Sequence, residues 1–419
     1  MRDSHNSSLP GEEEKILRTP AFDEAFSAYS SDPPKFLDKI LAESINLSSS
    51  DILFEPREEY VEVRLRIDGV LYEIGKINQD AYLQLTSRIK VLSSLDPTEK
   101  RKVQEGQYAI RDYQGVIVNL RVEIAQTTSG ELIVIRVHKK ETIVMSVTEL
   151  GFSKVALENF QNMLKKRSGL ILVCGPTGCG KTTTLYSTIA KLNESEEYNV
   201  MTIEDPIEFK LEKVNQMQVA KEVGFTFADG LKTILRLSPD IIFVGEIRDR
   251  ETAEIAVESG LTGILVLSTL HAQDSVGAFI RLLDLGIELY LLKSALNGII
   301  AQRLVRKLCL NCRIGYQPTQ VEVDFFQKVI GHPPKQLMKG KGCSACQNLG
   351  YKGRMGIFEV LPITLRVREL LKSGVNEEEL KEKLGKEDFF VTLLKDGLEK
   401  TEQGLTSFDE VIKNSLRVV

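Results

Sequence analysis

The fold of this chain is decided by one stretch of its sequence, Gly175-Pro176-Thr177-Gly178-Cys179-Gly180-Lys181-Thr182. The stretch has the spacing G-x-x-x-x-G-K-T, follows an apolar run at Leu170–Cys174 and precedes a helical pattern over Thr183–Leu192. A strand, a glycine-rich loop and a helix in that order are typical of a P-loop. Further short apolar runs, separated by helical segments, occur at Asn199–Ile203, Ile241–Val244 and Ile264–Leu267. Apolar strands that alternate with helices predict an α/β domain whose parallel sheet is covered on both faces.

The glycine-rich loop predicts a phosphate site. Its backbone N–H groups and the N-terminus of the following helix would supply partial positive charge to a polyphosphate. We expect Lys181 to reach the β- and γ-phosphates of ATP and the Thr182 hydroxyl to ligate Mg²⁺. The nucleotide-binding residues predicted in this way are Gly175, Pro176, Thr177, Gly178, Cys179, Gly180, Lys181, Thr182 and Thr183.

Three polar residues stand at the ends of the other apolar runs. Glu204 and Glu246 each end a short apolar strand, and His271 comes shortly after a third. Because ligands of parallel α/β sheets lie at the carboxyl ends of the strands, we expect both acids beside the phosphates. Either acid alone fits a helix cap or a solvated carboxylate equally well. A lone histidine in this place is more often structural than a sensor of the γ-phosphate.

Length and composition limit the remaining possibilities. The chain has 419 residues, of which 42% are hydrophobic and 27% charged, values typical of a soluble globular protein of two or three domains. The net charge of −5 gives no reason to expect a nucleic-acid partner. No apolar run is long enough to span a membrane, and the N-terminus lacks the apolar core of a signal peptide. We therefore expect a cytoplasmic protein.

Changes in sequence character predict the domain boundaries. Residues 34–140 should form a small α+β domain, because Val61–Ile67 alternates apolar and polar residues before a tight turn at Asp68-Gly69. The full prediction is a flexible tail at 1–33, this domain at 34–140, a linker at 141–151, the ATPase core at 152–302, a cysteine-rich subdomain at 303–360 and a helical region at 361–419.

Four cysteines form two C-x-x-C pairs, Cys309 with Cys312 and Cys343 with Cys346. Two such pairs suit a closed tetrahedral Zn²⁺ site, in which the metal is structural. Since cytoplasmic thiols stay reduced, the alternative is two pairs without metal rather than two disulfides.

Four segments together resemble the signature boxes of the secretion ATPases. They are GPTGCGKTTTLY at Gly175–Tyr186, TIEDPIEF at Thr202–Phe209, VGEIRDRETA at Val244–Ala253 and STLHAQDS at Ser268–Ser275. The resemblance extends over most of Leu37–Val411. It implies a PAS-like N-terminal domain joined to a RecA-like P-loop domain and assembled as a homohexamer. The long N-terminal docking domain of many members is expected to be missing here or reduced to the tail.

The resemblance also implies roles for individual residues. Glu204 would be the general base, Glu246 would act on the Mg²⁺ side, and His271 would sense the γ-phosphate. Arg121 and Arg136 read as solvated strand arginines on periodicity alone, but the resemblance implies that they assist hydrolysis. Closure of the N-terminal domain, about a hinge between residues 139 and 151, would then convert hydrolysis into domain motion.

The function implied is a motor that assembles a filament. By resemblance, the four cysteines are typical of pilus-extension and type II secretion ATPases and are typically absent from retraction ATPases. Tyr351-Lys352-Gly353-Arg354 resembles the pilus-extension branch, so type IV pilus extension is favoured and type II secretion is the alternative. The implied partner is an inner-membrane platform protein, with the motor peripheral to the membrane. The sequence departs from the family pattern at Leu53, at Ile264 and over Arg236–Asp240, which leaves catalytic details open.

Two other classes of function remain. One is a nucleic-acid-handling P-loop ATPase with a zinc ribbon, although the segment between the cysteine pairs lacks interleaved aromatic and basic residues. The other is a scaffold with a vestigial site, which is disfavoured because Lys181, Thr182, Glu204 and Glu246 are all present.

Overall fold

The structure, a computed structural model, describes residues 15–29, 31–138, 144–372, 374 and 376–415. The chain divides into two compact units, Met1–Lys140 and Glu141–Val419, here called unit 1 and unit 2. None of the helices within the described ranges combines the length and the apolar character needed to cross a bilayer.

Unit 1 is built on an antiparallel sheet. Its helices are α1 (Pro20–Ala28), α2 (Pro33–Asn46) and α3 (Gln79–Leu92). Its strands are β1 (Asp51–Pro56), β2 (Val61–Ile67), β3 (Val70–Ile77), β4 (Gln104–Arg111), β5 (Ile117–Thr127) and β6 (Gly130–His138). They lie in the order β3-β2-β1-β6-β5-β4, and every neighbouring pair is antiparallel.

Side-chain alternation determines which face of this sheet is buried. In β2 every second residue from Val61 to Ile67 is buried, as the sequence pattern predicts. Helix α3 covers this face, where its Tyr82 ring stacks on Phe54 of β1 at a centroid distance of 6.3 Å. Asn78 caps the helix by accepting a hydrogen bond of 2.8 Å from the Ala81 N–H. A small α+β domain in this part of the chain is thereby confirmed.

The flexible tail predicted for residues 1–33 is wrong for the described part that forms α1. Thr19 caps this helix by accepting a hydrogen bond from the Phe22 N–H at 3.2 Å. Phe22 and Ala25 are fully buried in unit 1, so their apolar area stabilises the helix against the domain. Residues 1–14 lie outside the described residues.

Unit 2 begins with alternating helices and strands. Up to the long central strand these are α4 (Lys154–Leu164), β7 (Gly169–Cys174), α5 (Lys181–Leu192), β8 (Val200–Glu204), β9 (Asn215–Gln218), α6 (Phe227–Ile234), β10 (Ile241–Val244), α7 (Arg250–Leu261), β11 (Leu265–Leu270), α8 (Ser275–Asp284), α9 (Leu289–Ala295) and β12 (Leu296–Leu308). The remaining elements are β13 (Arg313–Tyr316), α10 (Gln320–Val329), β14 (Leu337–Gly340), β15 (Tyr351–Pro362), α11 (Leu365–Leu370), α12 (Glu377–Leu384), α13 (Leu393–Glu402) and α14 (Phe408–Ser415).

The main sheet of unit 2 is parallel, with one antiparallel edge strand. Its order is β15-β12-β7-β11-β10-β8-β9, and only the β12–β15 pair is antiparallel. Alternate residues of β7 belong to two different apolar clusters: Leu170 and Leu172 pack with α7 and α8, whereas Ile171 and Val173 pack with α5. Both faces of the sheet are therefore covered, and the predicted α/β fold is confirmed.

Three predicted boundaries need correction. The boundaries at 302/303 and 360/361 fall inside β12 and β15, two paired strands of the main sheet, so the cysteine-rich segment is an excursion from this sheet. The linker predicted at 141–151 is wrong for its later part, because Val147 and Leu150 are buried in the cluster that contains α4 and α5 residues. Residues 141–143 lie outside the described residues.

Candidate active site

The loop between β7 and α5 has the backbone shape of a phosphate cradle. Gly175, Gly178 and Gly180 have φ values of 151°, 77° and 91°, a region that residues with a Cβ rarely adopt. A Cβ at Gly175 would also lie 2.6 Å from the Cys179 Sγ. The N-cap residue of α5 is Gly180, which has no side chain to cap the first N–H groups of the helix. These features suit a bound anion.

Lys181 is the first residue of α5, and its ammonium group lies over the loop. The Nζ donates hydrogen bonds to the carbonyl oxygens of Gly175 at 2.8 Å and of Pro176 at 3.1 Å. Burial lowers the pKa of Lys181, and the nearby Glu246 carboxylate opposes that shift. Thr182 and Thr183 follow on the half-buried first turn of the helix.

Glu204 ends β8 and is buried, with only 3% of its surface exposed. Its carboxylate accepts hydrogen bonds from the Thr202 hydroxyl at 2.6 Å, from Gln216 Nε2 at 3.0 Å and from the Tyr186 hydroxyl of α5. Such charge-assisted bonds compensate for the loss of water around a buried carboxylate. Tyr186 thus connects the helix that follows the P-loop to the end of β8.

Glu246 and His271 approach each other just beyond β10 and β11. His271 Nε2 lies 3.7 Å from Glu246 Oε2, and Arg248 pairs with the other carboxylate oxygen. The pKa of His271 is lowered, first by burial and then by the charge of Lys181, while Glu246 acts in the opposite direction. The parallel register brings these residues together, since Val244 pairs with both Ile203 and Ser268.

Sequence reasoning missed residues that hold the site in place. Gln302 of β12 is buried and accepts a hydrogen bond from the Thr184 hydroxyl of α5 at 2.7 Å. Tyr186, Thr202 and Gln216 hold Glu204. Gln302 is distant in sequence from the P-loop, so no local pattern predicts the contact, whereas Tyr186 and Thr202 lie inside the quoted boxes.

Arg121 and Arg136 lie in unit 1, directly opposite each other on β5 and β6. Arg121 forms an ion pair with Glu105 at 2.5 Å, and Arg136 forms one with Asp51 at 3.1 Å. Both side chains are partly exposed. They share one sheet face, away from the buried face that α3 covers.

The four cysteines form a second candidate site. All four Sγ atoms lie within 4.8 Å of one another, and three of the pairs are 3.8–3.9 Å apart. A tetrahedron with Zn–S bonds of about 2.3 Å has edges of about 3.8 Å, so these distances are compatible with zinc. Cys346 Sγ also accepts hydrogen bonds of 3.3 Å from the Cys343 and Gly350 N–H groups. Although burial opposes it, these backbone bonds lower the pKa of Cys346 to about 7.

Comparison with known proteins identifies the family. The model of the family described as "Type II/IV secretion system protein" matches residues 30–413, nearly the whole chain. The chain belongs to this family. The resemblance of the four sequence boxes to secretion ATPases is thereby confirmed.

The relatives of this family member include proteins of two systems. The "Type II secretion system protein E" of Klebsiella pneumoniae is 42% identical over 379 residues, which cover 90% of this chain and 75% of the relative. The "Type IV pilus assembly ATPase PilB" of Myxococcus xanthus is 40% identical over 389 residues, which cover 91% and 67%. The two identities are too similar to assign the chain to either system.

A solved structure shares the fold. The Legionella pneumophila ATPase DotB aligns with a TM-score of 0.67 and 23% identity, covering 90% of this chain and 94% of DotB. This likeness shows that the two chains share a fold.

Proposed function

We propose that this chain is a Mg²⁺-dependent ATPase whose hydrolysis drives the assembly of a type IV pilus. The observation that carries the proposal is the convergence of the P-loop, Glu204, Glu246 and His271 at one edge of the parallel sheet. Its membership in the secretion family, whose relatives include a pilus assembly ATPase, supports the biological role.

The P-loop residues bind and orient the substrate. The N–H groups of the glycine-rich loop and of the α5 N-terminus would hold the phosphates, as oriented backbone dipoles do without reorganisation. Lys181 would exchange its bonds to the Gly175 and Pro176 carbonyls for bonds to the β- and γ-phosphates.

The two acidic residues would have different roles in hydrolysis. Thr182 and Glu246 would hold Mg²⁺, which when bound neutralises charge that develops on the phosphate oxygens. Glu204 would act as general base by orienting the attacking water and accepting its proton. The three hydrogen bonds that Glu204 accepts fix the orientation of its carboxylate, and one of these bonds must break when the attacking water binds. His271, beside Glu246, would contact the γ-phosphate.

We propose that Cys309, Cys312, Cys343 and Cys346 bind one structural Zn²⁺. The Sγ separations and the N–H bonds to Cys346 support a closed site of four thiolates. The metal would hold the excursion between β12 and β15 in one shape, because the apolar cluster that β13, α10 and β14 share with α13 and α14 is small.

The proposed setting is the cytoplasmic face of the inner membrane. There the chain would act as a homohexamer on a platform protein and convert hydrolysis into relative motion of its two units, assisted by Arg121 and Arg136. The second candidate function is type II secretion, the system named for the Klebsiella pneumoniae relative.

The test of the enzyme is phosphate release from ATP, measured with and without Mg²⁺ on purified protein. Activity that needs Mg²⁺ supports the proposal, and no activity in a correctly folded protein rejects it. Deletion of the gene then separates the two systems: loss of surface pili supports pilus assembly, whereas loss of secreted proteins with pili intact supports type II secretion.

A further inference from the structure

The short segment His271–Asp274, here called the His271 loop, is held by residues from several elements of unit 2. On the side of the phosphate site, Cys174 at the end of β7 donates a hydrogen bond to the Asp274 carbonyl at 3.4 Å. Arg303 of β12 donates to the Gln273 carbonyl at 2.5 Å and to its side-chain oxygen at 3.1 Å. The loop is thus bonded to the strand that leads into the P-loop.

A second contact comes from helix α12. Lys381 Nζ lies 2.6 Å from Asp274 Oδ2 and 2.6 Å from Glu377 Oε1. Burial disfavours the charged ammonium group, but the hydrogen bonds that it donates to both carboxylates raise the pKa of Lys381. The other oxygen of Asp274 accepts from the Gly277 N–H at 2.8 Å and caps α8. One carboxylate therefore both begins α8 and binds α12.

A third contact lies beneath the end of the loop. Glu359 of β15 is buried and accepts hydrogen bonds from the N–H of Ser275, at 2.9 Å, and from its hydroxyl. Its other oxygen accepts from the Leu393 N–H at 3.3 Å. Ser275 and Leu393 are the first residues of α8 and α13, so this carboxylate lies at two helix N-termini. Burial raises the pKa of Glu359, and the hydrogen bonds from Ser275 and Leu393 oppose that shift.

We propose that the C-terminal part of unit 2 positions the His271 loop for ATP hydrolysis, with Lys381 and Glu359 as positioning residues. The inference rests on the proposed function, because the loop matters only if His271 acts on ATP. Neither residue needs to touch the nucleotide. Each fixes the end of the loop opposite His271, so a shift of α12 or α13 changes where the imidazole lies relative to Glu246.

A purely structural role for the same contacts predicts a change in stability without a change in kcat, and this difference makes the inference testable.

The decisive experiment compares Lys381→Gln with Lys383→Gln. Both lysines lie on α12, both pair with the glutamate four residues earlier, and their side chains are 41% and 39% exposed. Only Lys381 contacts Asp274. We expect Lys381→Gln to lower kcat about two- to fivefold, as for one partly exposed ion pair, with the KM for ATP and the melting temperature matching those of Lys383→Gln. Lys381→Arg should restore the rate.

A double-mutant cycle tests whether the two charges act together. Asp274→Asn keeps the helix cap, since asparagine is as good a capping residue, but removes the charge that Lys381 binds. The double variant Asp274→Asn with Lys381→Gln should be no slower than the slower single variant. If the fold-losses in kcat of the two single variants multiply in the double variant, the two residues act separately and the inference is overturned.

Glu359→Gln, compared with Asp396→Asn, tests the buried contact. Asp396 is an equally buried carboxylate of α13 whose partners, Lys400 and the Phe358 N–H, lie outside the His271 loop. Glutamine has one acceptor oxygen and cannot accept from both helix ends. We expect a larger fall in kcat for Glu359→Gln than for Asp396→Asn at comparable loss of melting temperature.

The outcomes separate the inference from the proposed function. If the wild-type protein hydrolyses ATP but Lys381→Gln and Lys383→Gln have the same kcat, the positioning role is wrong and the ATPase assignment stands. This result decides the matter even if Glu359→Gln fails to fold. Absence of turnover in the wild-type protein overturns the proposed function and this inference with it.

Discussion

The phosphate site and the cysteine site of unit 2 are built in opposite ways. The residues of the first come from the ends of β7, β8, β10 and β11 and meet because the parallel register aligns those ends. The residues of the second come from two tight turns that face each other beside the β13–β14 pair. The first therefore depends on the whole sheet, whereas the second depends on local geometry and, as proposed, on a metal. The comparison predicts that each site can be disabled without the other.

The largest effect should follow Lys181→Ala. Removing the ammonium group takes away the charge that would bind the β- and γ-phosphates, so we expect turnover to fall to background, a larger loss than for any of the variants below. Steady-state phosphate release measures this loss, and zinc content should stay at the wild-type value. Lys191→Ala is the matched control, because Lys191 lies on the same helix but pairs only with Glu194. Equal activity of the two variants would contradict the role of Lys181.

Glu204→Gln should keep nucleotide binding and lose turnover. An amide cannot accept the proton of the attacking water, and loss of a general base costs about 10²- to 10⁴-fold. Fluorescent-nucleotide titration and single-turnover hydrolysis separate the two steps. Glu208→Gln serves as control, because Glu208 is exposed in the segment that follows β8. Wild-type hydrolysis by Glu204→Gln would remove it from the mechanism.

Arg121→Ala and Arg136→Ala test whether unit 1 takes part in catalysis. An arginine that stabilises charge on a transferring phosphoryl group accelerates the reaction by about 10³-fold or more, so we expect steep losses in kcat with smaller changes in ATP affinity. Arg66→Ala is a sharp control, because Arg66 binds the same Asp51 as Arg136 does. Light scattering should show unchanged assembly. If all three variants keep full activity, the arginines are solvated strand residues.

The smallest effect on turnover should follow Cys343→Ser. Structural zinc contributes roughly 10–16 kcal/mol to local folding, so its loss should increase hydrogen exchange in β13, α10 and β14. Exchange in β7 should change little, and the ATPase rate should stay within a few-fold of wild type. Metal analysis of protein purified without chelator should give one zinc per wild-type chain and per Ser344→Ala chain. A value near zero in the wild type would reject the site.

Much of the architecture could be predicted because its signals are local. The apolar runs that become β7, β8, β10 and β11 follow from periodicity and length, and the alternation of Val61–Ile67 specifies a sheet with one buried face. The domain boundaries failed for the opposite reason. Strands β12 and β15 extend from the core sheet to the cysteine excursion, and a change in composition does not coincide with a change in hydrogen-bonding partner. The helix at Pro20–Ala28 was missed because the first thirty or so residues are rich in Ser, Glu and Pro, whereas burial of Phe22 and Ala25 stabilises the helix.

The candidate site shows the same division. The P-loop, the two acidic strand ends, His271 and the four cysteines could be found from residue types and spacing, because each is a short pattern with a direct chemical meaning. The contacts around them could not: Tyr186 and Gln216 hold Glu204, Gln302 contacts α5, and Lys381 and Glu359 contact the end of the His271 loop and the start of α8. These contacts join residues from different elements, often distant along the chain. Spacing along a sequence encodes strands, helices and turns, whereas such contacts exist only once the packing of the whole sheet has brought the elements together.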